Sequence, residues 1–171
     1  VDLISASNVL IESCNISNST GSYTVKLGTE EAYSAGAEYL DTVVVKKCTI
    51  SGNNHVLFVV ARSKNVTIDG SEADANTVTS TGYGIILKEQ TGSTVSYNTV
   101  TNTSAYACIY CKAALNATIS YNTLTNNAGT TFKVGKGDTN KCSSINFQNN
   151  NVSGTGSNAL FYWGDSTHDA G

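Results

Sequence analysis

The 171-residue sequence predicts an all-β solenoid, and three observations carry that prediction. Proline and methionine are absent while Asn, Thr, Ser, Gly and Val dominate, a composition that favours strands joined by tight polar turns. The octet "VSYNTVTN" at 95–102 returns as "ISYNTLTN" at 119–126, its two differences exchanging one branched apolar residue for another. The same skeleton recurs in "VLIESCNISN" (9–18), "VVVKKCTISG" (43–52), "VTIDG" with "NTVTS" (66–70 and 76–80) and "INFQNNNVSG" (145–154). Self-similarity of this kind marks a stack of coils.

Each unit has an apolar residue, a small or polar one three later, an apolar one two beyond, and Asn, Ser or Gly after a further two. Starting positions at Ile11, Val45, Ile68, Val95, Ile119 and Phe147 are separated by 34, 23, 27, 24 and 28 residues. So variable a step excludes a coiled coil and suits coils that carry loops of different length. The predicted core is the column pair Ile11/Ile16, Val45/Ile50, Ile68/Val78, Val95/Val100, Ile119/Leu124 and Phe147/Val152. Between the paired columns lie Cys14, Cys48, Ser71, Asn98, Asn122 and Asn150. An odd offset reverses the face of an uninterrupted strand, so a bend is expected at this position, with stacked Asn amides satisfying its backbone.

Upstream stretches "YTVKL" (23–27), "VLFVVA" (56–61), "GIILK" (84–88), "CIYCK" (108–112) and "TFKV" (131–134) supply further strands. Two or three short strands per coil give rungs that stack at roughly 4.8 Å. A loop insertion at 28–41 extends one coil, and Tyr33, Ala37 and Leu40 are spaced there for a short helix that Gly36 weakens. The segment at 135–144 is rich in turn formers. Loops on one side of a solenoid commonly form its binding face.

The chain is long enough for one domain, residues 1–171. It begins inside a strand pattern and reads as a piece of a longer protein. Only 13 % of residues are charged, 10 basic against 13 acidic, so nucleic acid is not an expected partner. No run of 18 apolar residues could form a membrane-spanning helix. Five cysteines cannot all pair within one chain.

These repeats, with Asn98, Asn122 and Asn150 at ladder positions, resemble the right-handed parallel β-helix superfamily that includes pectate lyases, polygalacturonases and many bacterial surface proteins. The resemblance covers nearly the whole chain and implies a single-stranded right-handed parallel β-helix of about six to seven coils. It implies an extracellular or cell-surface location and a polysaccharide or cell-surface glycan as partner. If the domain is an enzyme, the resemblance implies a polysaccharide lyase or glycoside hydrolase. The alternative is a non-catalytic adhesin or stalk. Lyases of this superfamily abstract a proton with Lys or Arg beside a uronate carboxylate, often with calcium holding that carboxylate. Lys88 and Lys112 superpose and Arg62 lies close to the same column one coil earlier, which makes them the candidate catalytic residues. "DGSEAD" supplies Asp69, Glu72 and Asp74 as candidate calcium ligands. Tyr33, Tyr39, Tyr97 and Tyr121 are candidate sugar-stacking residues, with cross-rung packing the alternative role for the last two. The paired carboxylates of the related hydrolases have no convincing counterpart, since Asp165 and Asp169 beside His168 fall at an end expected to fray.

Other columns carry further expectations. Asn15/Ser17, Thr49/Ser51, Thr77/Thr79, Thr99/Thr101, Thr123/Thr125 and Asn151/Ser153 would form a hydroxyl-rich outer face, which resembles the ice-binding face of β-helical antifreeze proteins. Glu12, Lys46 and Asp69 would alternate in charge down one edge. Cys14 and Cys48 should stack as thiols. Cys108 and Cys111, three apart on one strand, should point to opposite faces and hold no common ion. An uncapped coil end is a sticky edge, which leaves an end-to-end dimer open.

Overall fold

Val95 and Val100 are five residues apart yet both face inward, which two strands joined by a bend allow and one continuous strand does not. The computed structural model, which describes residues 1–18, 20–29, 40–59, 63–68, 71–135, 141–155 and 160–164, resolves how. Thr94–Ser96 and Thr99–Asn102 are separate strands, and between them Tyr97 sits at φ 60°, a left-handed residue that turns the chain through a corner.

Each rung contains three such strands. The first sheet stacks Ser7–Glu12, Leu40–Lys46, Ser63–Ile68, Thr94–Ser96, Thr118–Ser120 and Asn146–Gln148. The second stacks Asn15–Asn18, Thr49–Gly52, Thr77–Ser80, Thr99–Asn102, Thr123–Asn126 and Asn151–Ser153. The third stacks Asp2–Leu3, Tyr23–Leu27, His55–Val59, Ile85–Lys88, Ile109–Lys112, Phe132–Gly135 and Phe161–Trp163. All pairings are parallel, and the six strands of each six-stranded sheet are joined by about five turns of a β-solenoid, slightly fewer than the six to seven coils expected.

The predicted columns are in register throughout. Ile11 pairs with Val45, Val45 with Ile68, Ile68 with Val95, Val95 with Ile119 and Ile119 with Phe147. Ile16, Ile50, Val78, Val100, Leu124 and Val152 follow in the same way on the second sheet. The four central members of both columns are fully buried. The third wall comes from Val25, Leu57, Ile85, Ile109 and Phe132, with Leu27, Val59, Leu87, Cys111 and Val134 beside them. Burying one such side chain contributes about 1.5–3 kcal/mol.

The corner between the first and second sheets is held by an asparagine ladder. Asn98 Nδ2 donates to Asn122 Oδ1 at 2.9 Å and to the carbonyls of Ser96 and Ile68, both at 3.0 Å. Asn122 repeats this toward Asn150 Oδ1, Ser120 and Val95. One rung up the ladder residue is Asn76, whose Nδ2 reaches Asn98 Oδ1 and the Val45 carbonyl at 2.9 Å each, and not Ser71 as the spacing predicted. Residues 71–75 make an excursion around a 3-10 turn, Glu72–Asp74, before the chain rejoins the stack. Above Asn76 a thiol takes the place of the amide: Cys48 Sγ donates to Lys46 and Ile11 carbonyls, the counterparts of those used by Asn98.

One further column, the Asn, Ser or Gly that ends each repeat, has a role the repeat did not reveal, and a second column was not read from the sequence. Asn18, Asn102 and Asn126 close the next corner, their side-chain oxygens accepting the backbone N–H of Gly21, Ser104 and Gly129. Asn8, Thr42, Asn65, Gly92, Asn116 and Ser144 form a second left-handed stack along the first sheet, spaced by the same steps as the core. The expected helix in the insertion lies outside the described residues apart from its last member, Leu40, which instead opens a strand and is fully buried. A buried apolar residue gains more in a core strand than at the end of a short helix interrupted by Gly36.

Replacing Asn122 by Ala leaves the Asn98 backbone N–H, which donates to Asn122 Oδ1 at 3.0 Å, without its partner and strands the Val95 carbonyl in the core. We expect a loss of about 2–5 kcal/mol in urea unfolding, since each buried group left unsatisfied costs roughly 1–3 kcal/mol. A loss below about 1 kcal/mol would show that the ladder is not a stabilising element.

Candidate functional site

The bend before each ladder residue places one side chain at the outer corner of the rung. Ser13, Lys47, Tyr97, Tyr121 and Asn149 occupy it, with φ between 54 and 60°. Asn tolerates this conformation, whereas a bulky residue there stores strain of about 1–3 kcal/mol. Two successive rungs nonetheless carry tyrosine. The rings of Tyr97 and Tyr121 stack with centroids 5.0 Å apart and planes within 6°. Tyr121 remains 49 % exposed, so the outer part of the stacked pair is accessible to solvent.

Both rings line a shallow cleft of about 450 Å³ together with Glu72, Thr99, Thr123 and Asn151. Glu72 comes from the 3-10 excursion one rung above Tyr97, and Asn149 and Asn151 from the rung below Tyr121. The cleft therefore runs parallel to the solenoid axis across three rung steps, or about 14 Å. It offers aromatic surface, a carboxylate, hydroxyls and amides. Two of the expected sugar-stacking residues and one expected calcium ligand are thus brought together.

The remaining candidates lie elsewhere. Lys88 and Lys112 are in register, as predicted, and the next position in their column is Gly135. They end strands of the third sheet, whereas Tyr97 and Tyr121 follow strands of the first, so lysines and tyrosines occupy successive corners and the cleft lining contains neither lysine. Arg62, Asp69, Tyr33 and Tyr39 lie outside the described residues. Asp74, expected as a calcium ligand, is bound by Lys47 at 2.8 Å and Lys46 at 3.8 Å, and Glu12 meets Lys46 at 3.3 Å and Lys47 at 3.6 Å. The hydrogen bond from Lys47 holds the Asp74 carboxyl below its ordinary range, and the same contact raises the Lys47 ammonium. The alternating charge column expected on Glu12, Lys46 and Asp69 is therefore formed with Asp74, which the excursion carries back to the stack. Among the described residues no group of three or more His, Cys, Asp or Glu is placed to hold a metal ion.

The hydroxyl face has the predicted register. Thr49, Thr77, Thr99 and Thr123 form one exposed column, and Ser51, Thr79, Thr101, Thr125 and Ser153 the other, in which Ser51, Thr101 and Thr125 are half-buried. The third sheet carries an outer aromatic strip that sequence reading missed. His55 lies 5.7 Å from Tyr23 and 5.2 Å from Tyr83, Tyr83 stacks on Tyr110 at 5.1 Å, and Lys133 sits 5.0 Å above the Tyr110 ring. Its one legible signal is the outward register Tyr110, Lys133, Tyr162.

All five cysteines are free thiols. Cys108 and Cys111 do not face opposite sides: both are buried in the main core, because Cys108 precedes the strand Ile109–Lys112 and the corner turns its Sγ toward the Thr125 carbonyl at 3.2 Å. Burial pushes the Cys108 thiol up to about 12 and Cys111 well above its usual value.

A family model described as right handed beta helix region matches residues 1–169. No curated protein and no solved structure matches the chain. No helix among the described residues is long and apolar enough to cross a membrane.

At pH 8 a thiol titrating near 12 is ionised in roughly one molecule in ten thousand, and the thiolate is the reactive form. Cys108 and Cys111 are therefore expected to resist dithionitrobenzoate in the native protein and to react once urea unfolds it. Peptide mapping that finds either one modified in the native state would contradict their burial.

Proposed function

The chain belongs to the right-handed β-helix family, and from that premise we propose that it is an extracellular domain that binds a polysaccharide or cell-surface glycan along the Tyr97/Tyr121 corner. The observation that carries this reading is the stacked tyrosine pair, held in left-handed backbone at the edge of a cleft that also contains Glu72. Cross-rung packing accounts for the stacking. It does not account for placing a bulky ring where asparagine would fit with less strain, in a residue that stays nearly half exposed.

A pyranose presents an apolar C–H face and a rim of hydroxyls. The exposed aromatic surface of Tyr121 suits the first, and Glu72, Thr99, Thr123 and Asn151 are acceptors and donors for the second. The reading is recognition in preference to processing. A lyase needs its base beside the bound sugar, and the candidate bases Lys88 and Lys112 lie on another corner from the rings. The adhesin role is compatible with this site, since a rigid rod can present it at a distance from a surface.

A second reading rests on the Thr columns. Their spacing of roughly 4.8 Å between rungs and roughly 6.6 Å along each strand makes a flat hydroxyl lattice of the kind that can order water as ice does.

Tyr121→Ala should weaken glycan binding by about tenfold, roughly 1.4 kcal/mol, in titration calorimetry, with Lys112→Ala unchanged. Equal affinities for Tyr121→Ala and the parent protein would remove the corner site. For the second reading, the parent protein should show thermal hysteresis that Thr101→Tyr abolishes; a parent protein that freezes like buffer sinks it.

A further inference from the structure

Resting on the glycan reading above, we propose that the polysaccharide bound at the Tyr97/Tyr121 corner is uncharged and is not a polyuronate. The described residues around the cleft include one carboxylate, Glu72, and no lysine or arginine. Glu72 is exposed and makes no ion pair among the described residues, so its oxygens are available to accept hydroxyls. Lys46 and Lys47, in the same corner region of the stack, are both held by Glu12 and Asp74.

A polyuronate brings one carboxylate per sugar. Laid along a cleft that spans three rung steps, it would set like charges against Glu72 with no cation among the described lining residues to offset them. Calcium bridging Glu72 to a uronate would have one protein carboxylate among the described lining residues and would take the rest of its roughly six to eight oxygens from neutral groups and water, which makes a weak site. Asp74, two residues from Glu72, is turned to the lysines, and no cluster of three acidic, His or Cys side chains exists among the described residues. A neutral glycan meets none of these costs. Its vicinal hydroxyls can donate two charge-assisted hydrogen bonds to one carboxylate, which are roughly twice as strong as neutral ones.

The test is binding of the full chain to an immobilised carbohydrate array holding neutral glucans, mannans and xylans, polygalacturonate, alginate and chitosan, followed by calorimetry at low salt with and without 2 mM calcium, a concentration of about the order that weak extracellular sites require. A neutral glycan should bind at least ten times tighter than either polyuronate in both buffers. Glu72→Gln should weaken the neutral ligand several-fold and narrow its advantage over polygalacturonate. Binding of a polyuronate at equal or greater affinity, binding of chitosan alone, or an advantage unchanged in Glu72→Gln would each overturn the proposal while the glycan site stands. No binding to any member of the array, or binding indifferent to Tyr121→Ala, would overturn the glycan reading itself and this inference with it.

Discussion

Each rung must turn at a corner, and the residue that turns it leaves N–H and C=O groups that have no strand partner. Satisfying those groups inside the stack is the constraint on which the rest depends. The amides of Asn76, Asn98, Asn122 and Asn150 do so by serving two rungs at once: each Nδ2 reaches a carbonyl on the rung above, and the Oδ1 atoms of Asn76, Asn122 and Asn150 accept the backbone N–H of Cys48, Asn98 and Asn122 there as well. In a core of low dielectric such bonds are strong when made and costly when missing. The backbone ladders of the sheets set the rung spacing, and the asparagine ladder holds the corners in the same register as the apolar columns on either side. Thiols replace amides at Cys14 and Cys48, where a weaker donor serves the same carbonyl positions at the end of the stack.

The same bend is what gives the surface its character. A left-handed residue just before the ladder projects outward at every rung, so whatever occupies it is displayed in a line at fixed intervals. In the upper rungs that line holds Lys47 and, through the excursion, Asp74; lower down it holds the tyrosines. The 5.0 Å ring separation is thus imposed by the backbone and would bring together any two rings placed there. Chemistry enters through the choice of residue and through the excursion that brings Glu72 alongside.

Repetition also separates functions around the circumference. The Thr lattice covers the second sheet, the aromatic strip with Lys133 covers the third, and the paired lysines mark the corner where the third sheet ends. The interior is uniform enough that the outer faces can differ without disturbing it. This is why a match to the family over residues 1–169 states the architecture and leaves the ligand to the side chains of particular corners.

Both apolar columns, the Thr register and the Lys88/Lys112 pairing were legible in the sequence, because a stack repeats its pattern once per turn and aligned letters become aligned residues. The ladder was legible at Asn98, Asn122 and Asn150 and misread at Ser71. Counting three residues from Ile68 assumes a bend of constant length, and the excursion at 71–75 breaks that assumption; the cue was Asn76 standing before "TVTS" as Asn98 stands before "TVTN". Cys108 was misjudged for a related reason, since strand alternation does not extend through a corner. What falls in one column along the axis is thus written in the sequence, because the repeat itself encodes it. Which columns lie near each other around the axis, and so whether Glu72 joins the tyrosines or the lysines, was decided only by the tertiary structure, because corner dihedrals and excursions set those distances and carry no period to read.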